Sequence, residues 1–253
     1  MGINVTYEEH IQSELLRWQK KMLRPPGLLE KGSKAIQSKV NGLYPKKFFD
    51  TLTVTIKGLV RGVLFGLEFI PKGKPIKQAA LMERDQKALE LLKNYKRVAA
   101  AEGAGTGAGG IILGIADFPA LIAIKMKFLF ELAHIYGYST ESYKERLYLL
   151  FVFQLAFSSQ EKRPGVFYNL VHWEETVKEY PELKAMELFD WEQFQVEYRD
   201  AIDLRKMLQM LPGIGAVVGA VANYGLLEDL GHVGMNCYRL RILQEKGLIQ
   251  VDL

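Results

Sequence analysis

An all-α fold is predicted by three observations. Apolar residues recur at three- and four-residue spacing along almost the whole chain. These stretches are bounded by helix start and stop residues, Thr, Asp or Pro before them and Gly or Pro after. No run of alternating apolar and polar residues lies between hairpin turns. Taking the elements in order, Thr6 with Glu9 makes a capping-box pattern that opens a helix from about Tyr7 to Leu23. Ile11, Leu15, Trp18 and Met22 share one face of it, and Pro25-Pro26-Gly27 ends it. A second helix is predicted over 31–40, stopped by Asn41-Gly42, and Pro45 suits the first turn of a third, with Phe48, Leu52, Ile56, Val63 and Leu64 in its buried stripe. The next runs from about Ile76 to Ala101, with Leu81, Ala88, Leu91, Leu92 and Tyr95 inside. Asp117 caps a helix through Tyr136, with Pro119 in its first turn and Gly137 as its stop. Thr140 caps a helix to about Ser159, and single helices are predicted from Val166 to Tyr180 and, behind Asp190 and Gln193, from Trp191 to Leu211. The last runs from Pro212 to Lys246 and ends at Gly247. The expected architecture is one bundle-like domain over 1–253, with basic helices over 1–75 and a core over 76–253.

Composition narrows the class. With 49% hydrophobic and 25% charged residues, the chain does not have the makeup of a disordered protein. A single cysteine, Cys237, excludes an internal disulfide framework and fits a cytosolic compartment. The opening residues have no basic segment followed by an apolar one, so no secretory signal is expected, and the residues after Gly2 make a poor case for myristoylation. The net charge of +4 conceals a strong asymmetry: fourteen Lys and Arg between Arg17 and Lys77 face only Glu30, Asp50 and Glu68, whereas ten acids between Glu174 and Asp203 face three bases. The basic side, carried by Arg17, Lys20, Lys21, Arg24, Lys31, Lys34, Lys39, Lys46 and Lys47, suits an anionic membrane surface, each near-surface base contributing on the order of 1 kcal/mol. The alternative is a solvated helix surface that keeps the chain soluble; nucleic acid is not expected as a partner.

Two segments are glycine-rich and apolar. The first is GAGTGAGGIILGIA over 103–116, and the second lies within 207–227, twenty-one residues without Asp, Glu, Lys, Arg or His. Gly103 with Gly107, Gly110 with Gly114, and Gly215 with Gly219 each stand one helical turn apart, leaving a groove into which another helix can pack closely. A bilayer span needs roughly 20 apolar residues. The first segment is too short, and Pro212 and Asn223 weaken the second, so a tightly packed buried pair is favoured over a span. Gly105, Gly107 and Gly110 also meet the spacing of a dinucleotide-binding loop, but the preceding residues read as helix where that loop needs a strand.

These segments carry a family resemblance. Gly109-Gly110, Asp117 and Ile135-Tyr136-Gly137-Tyr138 resemble the central signature of the EcsC family. The LPGIGAVVGAVAN block ending at Asn223, followed by Tyr238-Arg239-Leu240-Arg241, resembles its second signature, and the similarity covers about residues 80–245. The resemblance implies a bacterial protein associated with an ABC transporter that affects protein secretion. It supplies no biochemical activity and marks Asp117, Tyr136, Gly137, Asn223, Arg239 and Arg241 as its signature positions.

The chemistry-bearing residues are few. Glu131 with His134, and Asp229 with His232, each place a carboxylate and an imidazole three residues apart, as in the ligand sets of di-iron helical bundles. Asp117, Glu141, Glu145 or Glu102 are the candidate further carboxylates. The favoured expectation is two unrelated pairs. Arg239 and Arg241 suit phosphate or a buried acid, and Arg241 can also pair with Glu245 one turn on. No cofactor is called for by any motif. The favoured reading is a non-catalytic, cytoplasmic, membrane-peripheral accessory protein that binds a lipid or an apolar segment. Its rivals are a metal-dependent enzyme using the two carboxylate–histidine pairs and a soluble interaction module.

Overall fold

The structure, a computed structural model, describes residues 6–27, 54, 56–58, 61–64, 71, 73–107, 118–182, 188 and 215–251, with backbone alone at 102–107, 118–119 and 215–223. Among them every regular element is a helix: α1 (Tyr7–Met22), α2 (Leu81–Gly107), α3 (Phe118–Tyr136), α4 (Tyr143–Phe157), α5 (Arg163–Val171), α6 (Trp173–Glu179) and α7 (Gly215–Glu245). The all-α expectation therefore holds.

Local rules account for most boundaries. The Thr6 amide donates to Glu9 Oε2 at 2.7 Å while the Glu9 amide donates to Thr6 Oγ1 at 3.3 Å, a complete capping box. Gly137 closes α3 at φ +95° and Gly247 follows α7 at φ +67°, conformations that side chains with a Cβ avoid. Four boundaries differ from expectation. Helix α2 begins at Leu81, where the Ala80 amide donates to Glu83 Oε2 at 3.3 Å, and it runs on through Gly107, into the first glycine-rich segment; Ile76 lies before it, its amide on the His134 carbonyl at 2.8 Å. Thr140 does not cap α4, since its hydroxyl is bonded to His134 Nε2 at 3.0 Å. The helix expected over Val166–Tyr180 is two, broken at His172 with φ −100° and ψ 43°. The helices expected over 31–40 and 191–211, Pro212 and the Asp190 cap lie outside the described residues.

The core is built around α7 and α4. Helix α7 packs along α2 and also meets α1, α3, α4 and α5. Helix α4 buries Leu147 through Leu155 without an exposed face, which is the position of a central helix. Close approach to α7 is made at Gly231, where a Cβ would lie 2.5 Å from Leu92 of α2, and at Gly234, where it would lie 2.7 Å from Leu132 of α3. Small residues thus allow close helix approach at these two positions of α7. Gly215, Gly219, Gly103 and Gly107 are described in backbone only, and Gly110 and Gly114 lie outside the described residues. No helix among the described residues is long and apolar enough to cross a membrane.

Candidate functional site: a polar groove over a buried arginine network

The inner stripe of α2 reads Leu81, Asp85, Ala88 and Leu92, all buried, so one acid sits in an otherwise apolar row. Burial of a carboxylate demands partners. Asp85 has three: Tyr7 of α1 donates at 2.5 Å, Tyr136 at the end of α3 donates to the other oxygen, and Arg239 Nε of α7 lies 3.0 and 3.1 Å from the two oxygens. Four helices are tied at one carboxylate. Burial pulls the Arg239 guanidinium down, but its bond to Asp85 together with the charge of Asp85 and the neighbouring Tyr136 and Tyr7 holds it above its ordinary value. Burial and the bond to Asp85 push the Tyr7 hydroxyl up, so it is a proton donor rather than a phenolate.

A second acid–arginine unit lies beside the first. Glu145 of α4, 4% exposed, accepts from Tyr238 at 2.6 Å and from Arg241 Nη1 at 2.8 Å. Burial raises the Glu145 carboxyl, and Arg241 works against that rise. The Arg241 guanidinium also stacks over Tyr138, 4.1 Å from the ring centre, and reaches Glu245 at 3.4 Å. Tyr238 joins the two units: its ring stacks between Tyr136 and Tyr138 with centroids at 5.3 and 5.2 Å.

Above the first unit lies an open groove of about 490 Å³ between α1, α2 and α7. Its inner part is lined by Met235, Asn236 and Arg239, and its outer part by Glu14, Arg17, Leu89 and His232. Arg239 Nη1 donates to Asn236 Oδ1 at 3.1 Å and stands 3.7 Å from Glu14.

The structure sorts the sequence-predicted residues. Tyr136, Arg239 and Arg241 converge on this network and Gly137 forms the turn beside Tyr136, whereas Asp117 lies outside the described residues and Asn223 is described in backbone only. The expectation that Arg239 and Arg241 meet a buried acid holds for both. Sequence reasoning missed Asp85 and Tyr7 and met Tyr238 only as part of the second signature block, although an acid on the α2 inner stripe was a visible signal. Glu145, considered there as a metal ligand, is instead the partner of Arg241. The four-residue metal set is not assembled: among the described residues no three His, Cys, Asp or Glu gather as ligands. Glu131 accepts from Tyr95 at 2.7 Å, and His134 uses Nδ1 on the Gly73 carbonyl and Nε2 on Thr140, each at 3.0 Å. Asp229 is exposed, and His232 faces the groove.

Burial holds His134 below its ordinary value. The neutral ring is therefore the folded form, and the unfolded chain binds its proton first as pH falls. Stability from this residue is full above the unfolded value of about 6.5 and declines as pH drops from there through the lower folded value. His134→Gln should flatten the dependence of the thermal midpoint on pH below about 6.5. An unchanged slope in the variant would refute this.

Fold and network together define an all-α protein whose helices are knotted at two buried arginine–carboxylate–tyrosine units. The chain belongs to the EcsC protein family, whose profile matches residues 9–243 and so reaches further toward the N-terminus than the signature blocks. It is similar to Protein EcsC of Bacillus subtilis (strain 168), with 43% identity over 241 residues, 95% of this chain and 98% of that protein. It is also similar to Uncharacterized protein YdbA of the same organism, with 31% identity over 171 residues, 68% of this chain and 62% of that protein. No solved structure matches the chain.

Proposed function

We propose that this chain is a non-catalytic accessory protein that docks peripherally on an anionic membrane surface. The observation that carries the reading is the outer face of α1. With Ile11, Leu15, Gln19 and Met22 turned into the core, Arg17, Lys20 and Lys21, and Arg24 just beyond the helix, are all exposed. Among the described residues none of these four is in an ion pair. Leu16 and Leu23, 45% and 39% exposed, border them. Bases with adjoining leucines are the makeup of an interfacial helix face. Lys31, Lys34, Lys39, Lys46 and Lys47 lie outside the described residues. What supports a non-catalytic role is that the buried acids are engaged by arginine and tyrosine, and burial pushes the Cys237 thiol up, away from the reactive thiolate. Work beside an ABC transporter, and the binding of a lipid or apolar segment, belong to the same proposal.

The test is co-sedimentation with vesicles. Binding to anionic vesicles is expected to exceed binding to neutral ones and to be largely lost at about 1 M salt, where the screening length shortens to roughly 3 Å. Lys20→Glu/Lys21→Glu should weaken it further at low salt. Equal sedimentation with neutral and anionic vesicles would sink the reading.

A further inference from the structure

We propose that the groove between α1, α2 and α7 binds a phosphomonoester oxyanion, with Arg239 and Asn236 at its floor and Arg17 and His232 at its rim. The groove holds a surplus of donors. Arg239 places Nε on Asp85 and Nη1 on Asn236 Oδ1, while its Nη2 has no acceptor among the described residues. A guanidinium only donates, so the Asn236 oxygen must face it, which leaves the amide NH₂ for the other side. Arg17 has no ion-pair partner among the described residues, and the His232 ring faces the same groove. The acceptor among the lining side-chain carboxylates is Glu14, already 3.4 Å from His10 and 3.7 Å from Arg239.

Four donor groups from two helices match an anion with three terminal oxygens better than a carboxylate, which one arginine fork satisfies. Arg239 is also held in place before any ligand arrives. Asp85, 1% exposed and itself fixed by Tyr7 and Tyr136, clamps its Nε side, so little ordering remains to be done on binding. The volume of about 490 Å³ leaves room beyond the phosphoryl group, and Leu89 and Met235 offer an apolar wall to the carbon side of the ester. Arg17 belongs both to this rim and to the basic face of α1, so the groove opens beside the surface proposed to meet the membrane. In its lipid form the inference rests on that membrane reading; in its soluble form it does not.

The test uses the full chain. Phosphatidylcholine vesicles carrying phosphatidic acid are compared with vesicles carrying phosphatidylglycerol, matched in zeta potential, and glycerol 3-phosphate is titrated calorimetrically. The two probes share the phosphomonoester and separate its lipid and soluble sources. Phosphatidic acid vesicles should bind about tenfold more tightly than phosphatidylglycerol ones, the change that one charge-assisted hydrogen bond carries. Asn236→Asp keeps an oxygen for Arg239 while replacing the donor amide with an acceptor, and His232→Gln alters the rim. Each should abolish the preference at an unchanged thermal midpoint. Lys20→Glu/Lys21→Glu should lower binding to both vesicle types and leave their ratio alone. Glycerol 3-phosphate binding without a vesicle preference, lost in the two groove variants, supports the site with a soluble source. Vesicle binding without preference and without a glycerol 3-phosphate signal overturns the groove proposal and leaves the α1 reading standing. A preference unaffected by both groove variants also overturns it. Glycerol 3-phosphate binding with no vesicle binding supports the groove and overturns the α1 reading alone.

Discussion

Arg241→Met is expected to destabilise the protein by about 3–5 kcal/mol, the range for removing one partner of a buried ion pair. The reason is what the substitution leaves behind. Glu145 is 4% exposed and would keep only the Tyr238 hydroxyl, at 2.6 Å, to satisfy a charge taken out of water. The methionine also gives up the cation stacked 4.1 Å above Tyr138. Most of the loss belongs to the stranded acid rather than to the missing contact, so Arg241→Met/Glu145→Gln should recover a large part of it, and a double-mutant cycle should show strong coupling. Glu245→Gln is the control: that carboxylate is 57% exposed and 3.4 Å from Arg241, and an exposed pair contributes about 0–1 kcal/mol. Denaturant unfolding of these three variants and of Glu145→Gln alone decides the matter. A loss below about 1 kcal/mol for Arg241→Met, or additivity in the cycle, would show that the two groups do not act as a pair.

Gly137→Ala is expected to lower stability by about 2–5 kcal/mol, from two sources that add. The first is conformational: φ is +95°, and an L side chain with positive φ costs roughly 1–2 kcal/mol. The second is steric. A Cβ at this position would lie 2.8 Å from the Ile76 carbonyl oxygen and 2.5 Å from Arg84 Nη1, which itself donates to the Tyr136 carbonyl. The arginine can swing aside, but the carbonyl is backbone, and overpacking of this kind costs about 1–3 kcal/mol. The damage should spread, because Tyr136 immediately precedes this turn and anchors Asp85. Gly27→Ala, with nothing within 4 Å of its Cβ and no positive φ, is the matched control and should change stability little. Equal thermal midpoints for the two variants would mean that the turn tolerates a side chain and that the reading of Gly137 is mistaken.

Much of the fold was legible in the sequence because helices are specified locally. The capping box at Thr6 and Glu9, the face of Ile11, Leu15 and Met22, and the stop at Gly137 each depend on residues within a turn or two of one another. Misreadings arose where a group took a partner outside the helix it was assigned to. Thr140 looked like a cap because Ser and Thr hydroxyls usually serve the nearest amide, but His134 holds it. The start expected at Ile76 lies five residues before Leu81, where Glu83 reaches back to the Ala80 amide, while Ile76 is held instead by the His134 carbonyl.

The site was only half legible. Arg239 and Arg241 stood out as bases following an apolar helix, and Tyr136 and Gly137 as part of a recognisable block. Which acids they would meet was not written anywhere near them: Asp85 is 154 positions from Arg239, and Glu145 is 96 from Arg241. Whether Glu131 and His134 share a site with Asp229 and His232, the less favoured of the two readings, was illegible for the same reason, since spacing along one helix says nothing about which way a second helix turns its side chains. By itself, then, the sequence determined that this chain is helical, where helices such as α1 and α3 begin and end, and the family to which it belongs, because caps, periodicity and signature blocks are short-range patterns. The tertiary structure alone decided which acid each arginine holds, that α7 closes on α2 and α3 at Gly231 and Gly234, and that Arg17, His232 and Asn236 share one groove, because these depend on how helices far apart in the chain pack their faces together.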